Sequence, residues 1–212
     1  MDFLTAYQDA SYAKRYSDLV TKVRAAEAKA APGSDALSEA VARGAFKLMA
    51  IKDEYEVARL YTDGSFAEAL GETFEGKDMK LTFHMAPPLL AKRDPTTGHL
   101  KKKAYGPWML KAFGVLAKLK GLRGGPLDIF GRSEERRMER QLRDDYLTQI
   151  EEVILPKLNA DNHGAAVELA ALAQEVRGFG HVKEAAVAKV KKKEAELLAR
   201  FTSPAPAASA AE

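Results

Sequence analysis

The chain has 212 residues, 46% of them apolar and 30% charged, with a mean hydropathy of -0.30, a balance that excludes both a disordered chain and a bilayer protein. It contains no cysteine, which excludes disulfides, thiolate nucleophiles and iron–sulfur or zinc centres built on sulfur. The net charge is only +3, yet residues 86–140 carry 13 Lys/Arg against 5 Asp/Glu, a local +8 that leaves −5 for the rest.

Most of the chain has the period of amphipathic helices. Tyr12, Tyr16, Leu19, Val23 and Ala26 recur at spacings of three and four and place one helix there. Ala31-Pro32-Gly33-Ser34 breaks it, with Ser34 as the expected cap of the next. Leu37, Val41, Ala45, Leu48, Ile51 and Tyr55 then predict a second helix running to Tyr61–Gly64, and a short one follows over Ser65 to Phe74. Met79, Leu81 and Phe83 alternate with polar residues, so the period changes to that of a strand. Pro87-Pro88 halts it. Asp94-Pro95-Thr96-Thr97-Gly98 is a turn, and Leu100–Tyr105 is the candidate second arm of a small β-hairpin.

Trp108 to Leu119 predicts another helix, ending at Gly121. Ser133 is expected to cap a long helix with the inward stripe Met138, Leu142, Tyr146, Ile150 and Val153, stopped by Pro156. A helix beginning at Asp161 or Asn162 carries Val167, Leu172 and Val176 to Gly178. The last runs from His181 to Phe201, with Val182, Ala186, Val190 and Leu197 inward. The prediction is a mainly α, multi-helix single domain over residues 1–201, with a small β-hairpin near residues 79–105. Residues 202–212 form an Ala/Pro-rich tail expected to be disordered.

Candidate chemistry is sparse. Gly71–Asp78 imitates a phosphate-binding loop, but Asp78 stands where the magnesium-binding Ser/Thr belongs, Glu72 and Glu75 repel phosphate, and the order is helix then strand. Arg177-Gly178-Phe179-Gly180-His181-Val182-Lys183 combines two glycines, three basic residues and a helix start, the ingredients of an anion site. An ordinary helix corner, with Gly178 ending one helix and Phe179 in the core, weighs more than a ligand site there. His84, His99, His163 and His181 share no turn and make no metal pair. Lys52-Asp53-Glu54-Tyr55-Glu56 is a charge run able to pair with Arg59, not a catalytic dyad. Glu134–Arg140 is a second such run, in which a forked arginine pair suits a carboxylate or phosphate.

Several strings together carry a family resemblance. They are Ala45–Tyr61 (AFKLMAIKDEYEVARLY), Phe83–Leu90 (FHMAPPLL), Tyr105–Met109 (YGPWM), Gly121–Gly124 (GLRG) and Arg177–Lys183 (RGFGHVK). In this order they resemble the C-terminal domain, of unassigned function, of the long fused bacterial indolepyruvate ferredoxin oxidoreductases. The resemblance runs from about Phe3 to Lys189. It implies a cytoplasmic part of an enzyme that uses thiamine diphosphate, magnesium and iron–sulfur clusters to oxidise a 2-oxoacid with coenzyme A and ferredoxin. This chain has no cysteine and no Gly-Asp-Gly diphosphate string. The resemblance therefore places those cofactors on a partner core, with no cofactor and no catalytic residue on this chain.

The expected role is an accessory domain that docks on the catalytic core and assists binding of ferredoxin or of coenzyme A phosphates. Its anion- or partner-binding candidates are Arg123, Arg132, Arg136, Arg137, Arg177, Gly178, Gly180, His181 and Lys183. The alternatives are a free-standing helical enzyme with a pocket of Tyr55, His84, Trp108 and Arg123, and a structural oligomerisation module. Neither nucleic acid nor membrane is an expected partner.

Overall fold

The computed structural model describes residues 1–75, 80–86 and 101–203. Met79, the Gly76–Asp78 end of the phosphate-loop imitation, Pro87-Pro88, the Asp94–Gly98 turn, Leu100 and the tail from Pro204 lie outside the described residues. In chain order the elements are α1 (Asp2–Tyr7), α2 (Ala10–Ala30), α3 (Ala36–Met49), α4 (Glu54–Thr62), α5 (Ser65–Thr73), β1 (Phe83–Met85), β2 (Lys103–Tyr105), α6 (Met109–Lys118), α7 (Glu134–Thr148), α8 (Leu155–Lys157), α9 (His163–Ala171) and α10 (His181–Thr202). The protein is mainly α, and β1 and β2 form the predicted antiparallel hairpin, with Phe83 opposite Tyr105 and Met85 opposite Lys103. No helix among the described residues is long and apolar enough to cross a membrane.

The backbone divides into two compact units. The larger comprises Met1–Ile51 and Glu134–Glu212, the smaller Lys52–Ser133. The division falls where periodicity predicts a continuous helix from Leu37 to Tyr61. Asp53 interrupts it: its backbone is extended, and its carboxylate accepts the Glu56 N–H at 2.8 Å. A side chain that caps a new helix start competes with continuation of the old one.

In the larger unit, Leu19 and Val23 of α2, Leu37, Val41 and Ala45 of α3, Tyr146 and Leu147 of α7, and Leu169 of α9 share one core with Val190 and Phe201 of α10. α7 does not stop at Pro156. A π-wound stretch, Gln149–Ile154, carries it into α8, where Pro156 sits in the opening turn and needs no N–H partner. α9 is shorter than predicted: it tightens into a 3-10 turn over Leu172–Glu175, and Val176 leaves it extended but buried. The last helix also differs from expectation, because Val182 is exposed at its start and the inward face begins further on, towards Val190.

Gly44 marks the closest approach in this core. Tyr146 donates its hydroxyl to the Ala170 carbonyl at 3.0 Å, directly beneath Gly44. A Cβ at that position would overlap the Tyr146 hydroxyl and sit 3.1 Å from the Ala170 oxygen. Gly44→Ala gains roughly 1 kcal/mol of helix propensity but forces Tyr146 off its carbonyl, an overpacking cost of roughly 1–3 kcal/mol added to the lost hydrogen bond. The expected net result is destabilisation by about 1–2 kcal/mol, read as a lower urea midpoint with an unchanged slope; a midpoint at or above that of the parent would contradict this packing.

The smaller unit is built on aromatic packing. Tyr61 stacks on Phe113 at 5.3 Å, and Phe83 meets both edge-on at 5.3 and 5.5 Å. Ala58 and Met109 complete the buried set. The hairpin is thus fastened to α4 and α6 through Phe83.

Candidate functional site

The smaller unit contains a network of buried charge. Arg123 lies over the Tyr55 ring, 5.4 Å from its centroid. It grips Asp53 with two donors, Nε to Oδ2 at 2.5 Å and a terminal nitrogen to Oδ1 at 2.9 Å. Asp53 caps α4 at the same time, so a single carboxylate joins Arg123 to the helix start. The Tyr55 hydroxyl donates to Asp128 at 3.2 Å, and Asp128 also accepts the N–H groups of Gly124 (2.7 Å), Gly131 (2.9 Å) and Phe130 (3.2 Å). Burial pushes the Asp128 carboxyl up, but these donors more than reverse it and hold it below the ordinary value. Burial and the Asp128 charge push the Tyr55 hydroxyl up to about 12. Arg59 makes the expected pair within the charge run, gripping Glu56 at 2.7 and 2.9 Å. These contacts organise the unit's own backbone and use up the donors that a substrate would need.

Outside this network, residues 101–133 are basic and apolar. Between residues 101 and 133 the sole carboxylate is Asp128, which is buried, while Lys101, Lys102, Lys103, Lys111, Lys118 and Arg132 are exposed. Trp108 (58%), Val115 (63%), Leu127 (70%) and Ile129 (54%) are also exposed. Of the alternative pocket residues, Tyr55 and Arg123 meet in the network, whereas Trp108 points to solvent beside Tyr105 and His84 is an exposed hairpin residue.

The predicted anion- and partner-binding residues are divided between the units. Arg123 is inside the network just described, and Arg132 donates to the Pro126 carbonyl at 3.0 Å. The others belong to the larger unit, around the start of α10. There Gly178 and Gly180 both have positive φ, +94° and +53°. At Gly178 a Cβ would lie 2.6 Å from the Val182 side chain, so glycine is required on both counts. Phe179, expected in the core, is 68% exposed because this left-handed turn swings it outward.

The donors of that turn meet the chain's own carboxylates. The Gly180 N–H donates to Glu135 at 3.0 Å. Buried Glu139 lies between Lys183 and Arg136, each 2.5 Å from one of its oxygens. Lys47 donates to the Gln174 carbonyl at 2.7 Å, and Arg177 to the same carbonyl at 3.2 Å. Burial, and then the positive charges of Arg177 and Lys183, lower the Lys47 ammonium. Arg137, Arg177 and His181 are exposed at the rim. Glu135 and Glu139 of the Glu134–Arg140 run thus supply the anions for this helix start. A cleft in the same unit, lined by Leu48, Leu142, Tyr146, Val176 and Val190, has a volume of about 40 Å³, too small for a metabolite.

A family model described as a family of unknown function, DUF6537, matches residues 1–196. The chain belongs to that family. No curated protein and no solved structure matches it.

Sequence reading passes over Asp128 and Glu27 and holds Glu139 only as a member of a charge run, although these are the buried carboxylates around which this DUF6537 chain is organised. A signal existed for one: Glu27 falls four residues after Val23, on the apolar stripe of α2, where an acid must find internal donors. Asp128 lies in an aperiodic loop, and nothing local to it marks burial.

Proposed function

We propose that this chain is a non-catalytic accessory domain of a thiamine diphosphate-dependent 2-oxoacid:ferredoxin oxidoreductase acting on indolepyruvate, working in the cytoplasm by docking on the catalytic core. What supports the reading, beside the resemblance, is the surface of residues 101–133: exposed cations and exposed large apolar side chains, with the only carboxylate buried. Enzymes seldom need such a surface for chemistry; protein association does.

The chain's own residues do not fit the enzyme's cofactors. There is no cysteine to ligate a cluster. The buried carboxylates Glu27, Asp53, Asp128 and Glu139, which would suit a magnesium ion, are each engaged by amides, hydroxyls or cations. Thiamine diphosphate, magnesium and the clusters therefore belong to the core in this reading. A role in holding coenzyme A phosphates has less support than a role in meeting the core or an acidic ferredoxin, because Gly180 and Lys183 already hold Glu135 and Glu139.

The test is titration of the purified chain against the thiamine-binding core polypeptides of the same genome, with indolepyruvate-dependent ferredoxin reduction followed in parallel. A stoichiometric complex, and no turnover by the chain alone, is the expected result. Turnover of a 2-oxoacid by the chain with no other polypeptide, or no association at low salt, would end the proposal.

A further inference from the structure

α6 carries two adjacent apolar rows, roughly 100° apart around its axis. One row, Met109 and Phe113 with Leu116, is packed into the smaller unit. In the neighbouring row, Ala112 and Val115 with the flanking cap residues Trp108 and Leu119 follow one another at intervals of four, three and four, and all are exposed. At 3.6 residues per turn these spacings make a continuous outward ridge. Lys111 and Lys118, both exposed, lie beside it one turn either way from Val115. A surface helix of a self-contained unit ordinarily faces solvent with polar residues, so the ridge calls for a covering partner.

We infer that the outward ridge of α6 is a docking helix that seats in an apolar groove rimmed by carboxylates on a partner protein, a reading that rests on the accessory role proposed above. Charge selects this occupant. Lys111 and Lys118 line one border of the ridge, Lys101, Lys102 and Lys103 precede it, and no exposed carboxylate occurs between residues 101 and 133. A second copy of the chain would bring like charge against like charge, which disfavours self-association through this face. An interfacial membrane helix carries a broad apolar face; here the apolar residues form a single row with lysines at its border, the shape of a helix entering a protein groove. Held in place by Met109 and Phe113, the helix is already ordered, so docking does not bear the cost of folding it.

The experiment uses the full chain and the thiamine-binding core polypeptides as the probe, with affinity measured at 0.05 and 0.5 M salt. Val115→Glu/Leu119→Glu changes only exposed positions and is expected to keep the parent's melting temperature while weakening binding at least ~10-fold. Lys111→Glu/Lys118→Glu is expected to slow association by about 10-fold at low salt and to match the parent at high salt. Leu127→Ser/Ile129→Ser, exposed in the same unit but off the helix, is expected to bind as the parent does. If the parent binds and the Val115/Leu119 variant binds equally well, the ridge is not the docking face, although the accessory role stands. Loss confined to the Leu127/Ile129 variant has the same meaning. If the parent fails to bind the core, the accessory role falls and this inference with it. Binding of the chain to phosphatidylglycerol vesicles that the Val115/Leu119 variant abolishes, with no binding to the core, would replace a protein groove by a membrane surface.

Discussion

Glu27→Gln is expected to cost the larger unit about 3 kcal/mol at pH 7. Glu27 is 1% exposed, and its carboxylate accepts the N–H of Leu37 at 2.7 Å, the N–H and hydroxyl of Ser38 at 2.8 and 2.5 Å, and the Ser34 hydroxyl at 3.2 Å. His163 of α9 contacts it at 2.8 Å. A single side chain of α2 therefore caps α3, whose own expected cap, Ser34, only reaches Ala36 at 3.3 Å. Burial raises the Glu27 carboxyl, but hydrogen bonds from Ser38, His163 and the two amides outweigh it and bring it down to about 2.

The unfolded chain titrates this group near ~4.3, above its folded value. Its stabilisation is therefore complete above that pH and is lost as pH falls toward about 2. Urea unfolding of parent and variant at pH 7, 4 and 2.5 is the measurement. The two curves should converge as pH falls, because the variant has no Glu27 to protonate. A constant gap across that range would mean that the charge of Glu27 contributes nothing.

The second large effect concerns the loop around Asp128. Asp128→Ala removes one acceptor from three backbone amides and from the Tyr55 hydroxyl. Groups left unpaired in a buried site cost roughly 1–3 kcal/mol each, partly relieved where water enters. The expected loss is about 3 kcal/mol for the smaller unit, with amide exchange at Gly124, Phe130 and Gly131 accelerated about 100-fold, since each 1.4 kcal/mol is tenfold. Asp128→Asn keeps an acceptor and should fall between parent and alanine variant. Because the folded Asp128 carboxyl lies below its ordinary value, the loop's protection holds above about pH 3.9 and declines as pH falls below it. Unchanged exchange at the three amides in Asp128→Ala would show that the loop is held by something else.

Periodicity made most helices legible, because an amphipathic helix writes its buried face into spacings of three and four: Leu19–Val23, Val41–Ala45 and Tyr146–Ile150 are all buried as their spacing predicts. The hairpin was legible from the alternation around Phe83. The break at Asp53 was not, because Leu48, Ile51 and Tyr55 continue the helical period across it. What breaks the helix is a cap whose carboxylate is also gripped by Arg123, 70 residues away. The candidate site suffered the same blindness. Gly180 and Lys183 donate to Glu135 and Glu139, which lie 45 and 44 residues earlier in the chain, and Glu139 also takes Arg136 from its own helix.

The sequence by itself determined the class of the protein: a helical chain with a basic middle and no cysteine thiolate to hold an iron–sulfur centre. These properties are sums over residues or patterns within a few turns, and they survive without knowledge of contacts. Only the tertiary structure decided where each charge went. Burial of Glu27, Asp53, Asp128 and Glu139 against distant donors, and exposure of the outer row of α6, depend on which segments meet, and in a low-dielectric interior that meeting sets whether a charged group stabilises the fold or remains on the surface to bind a partner.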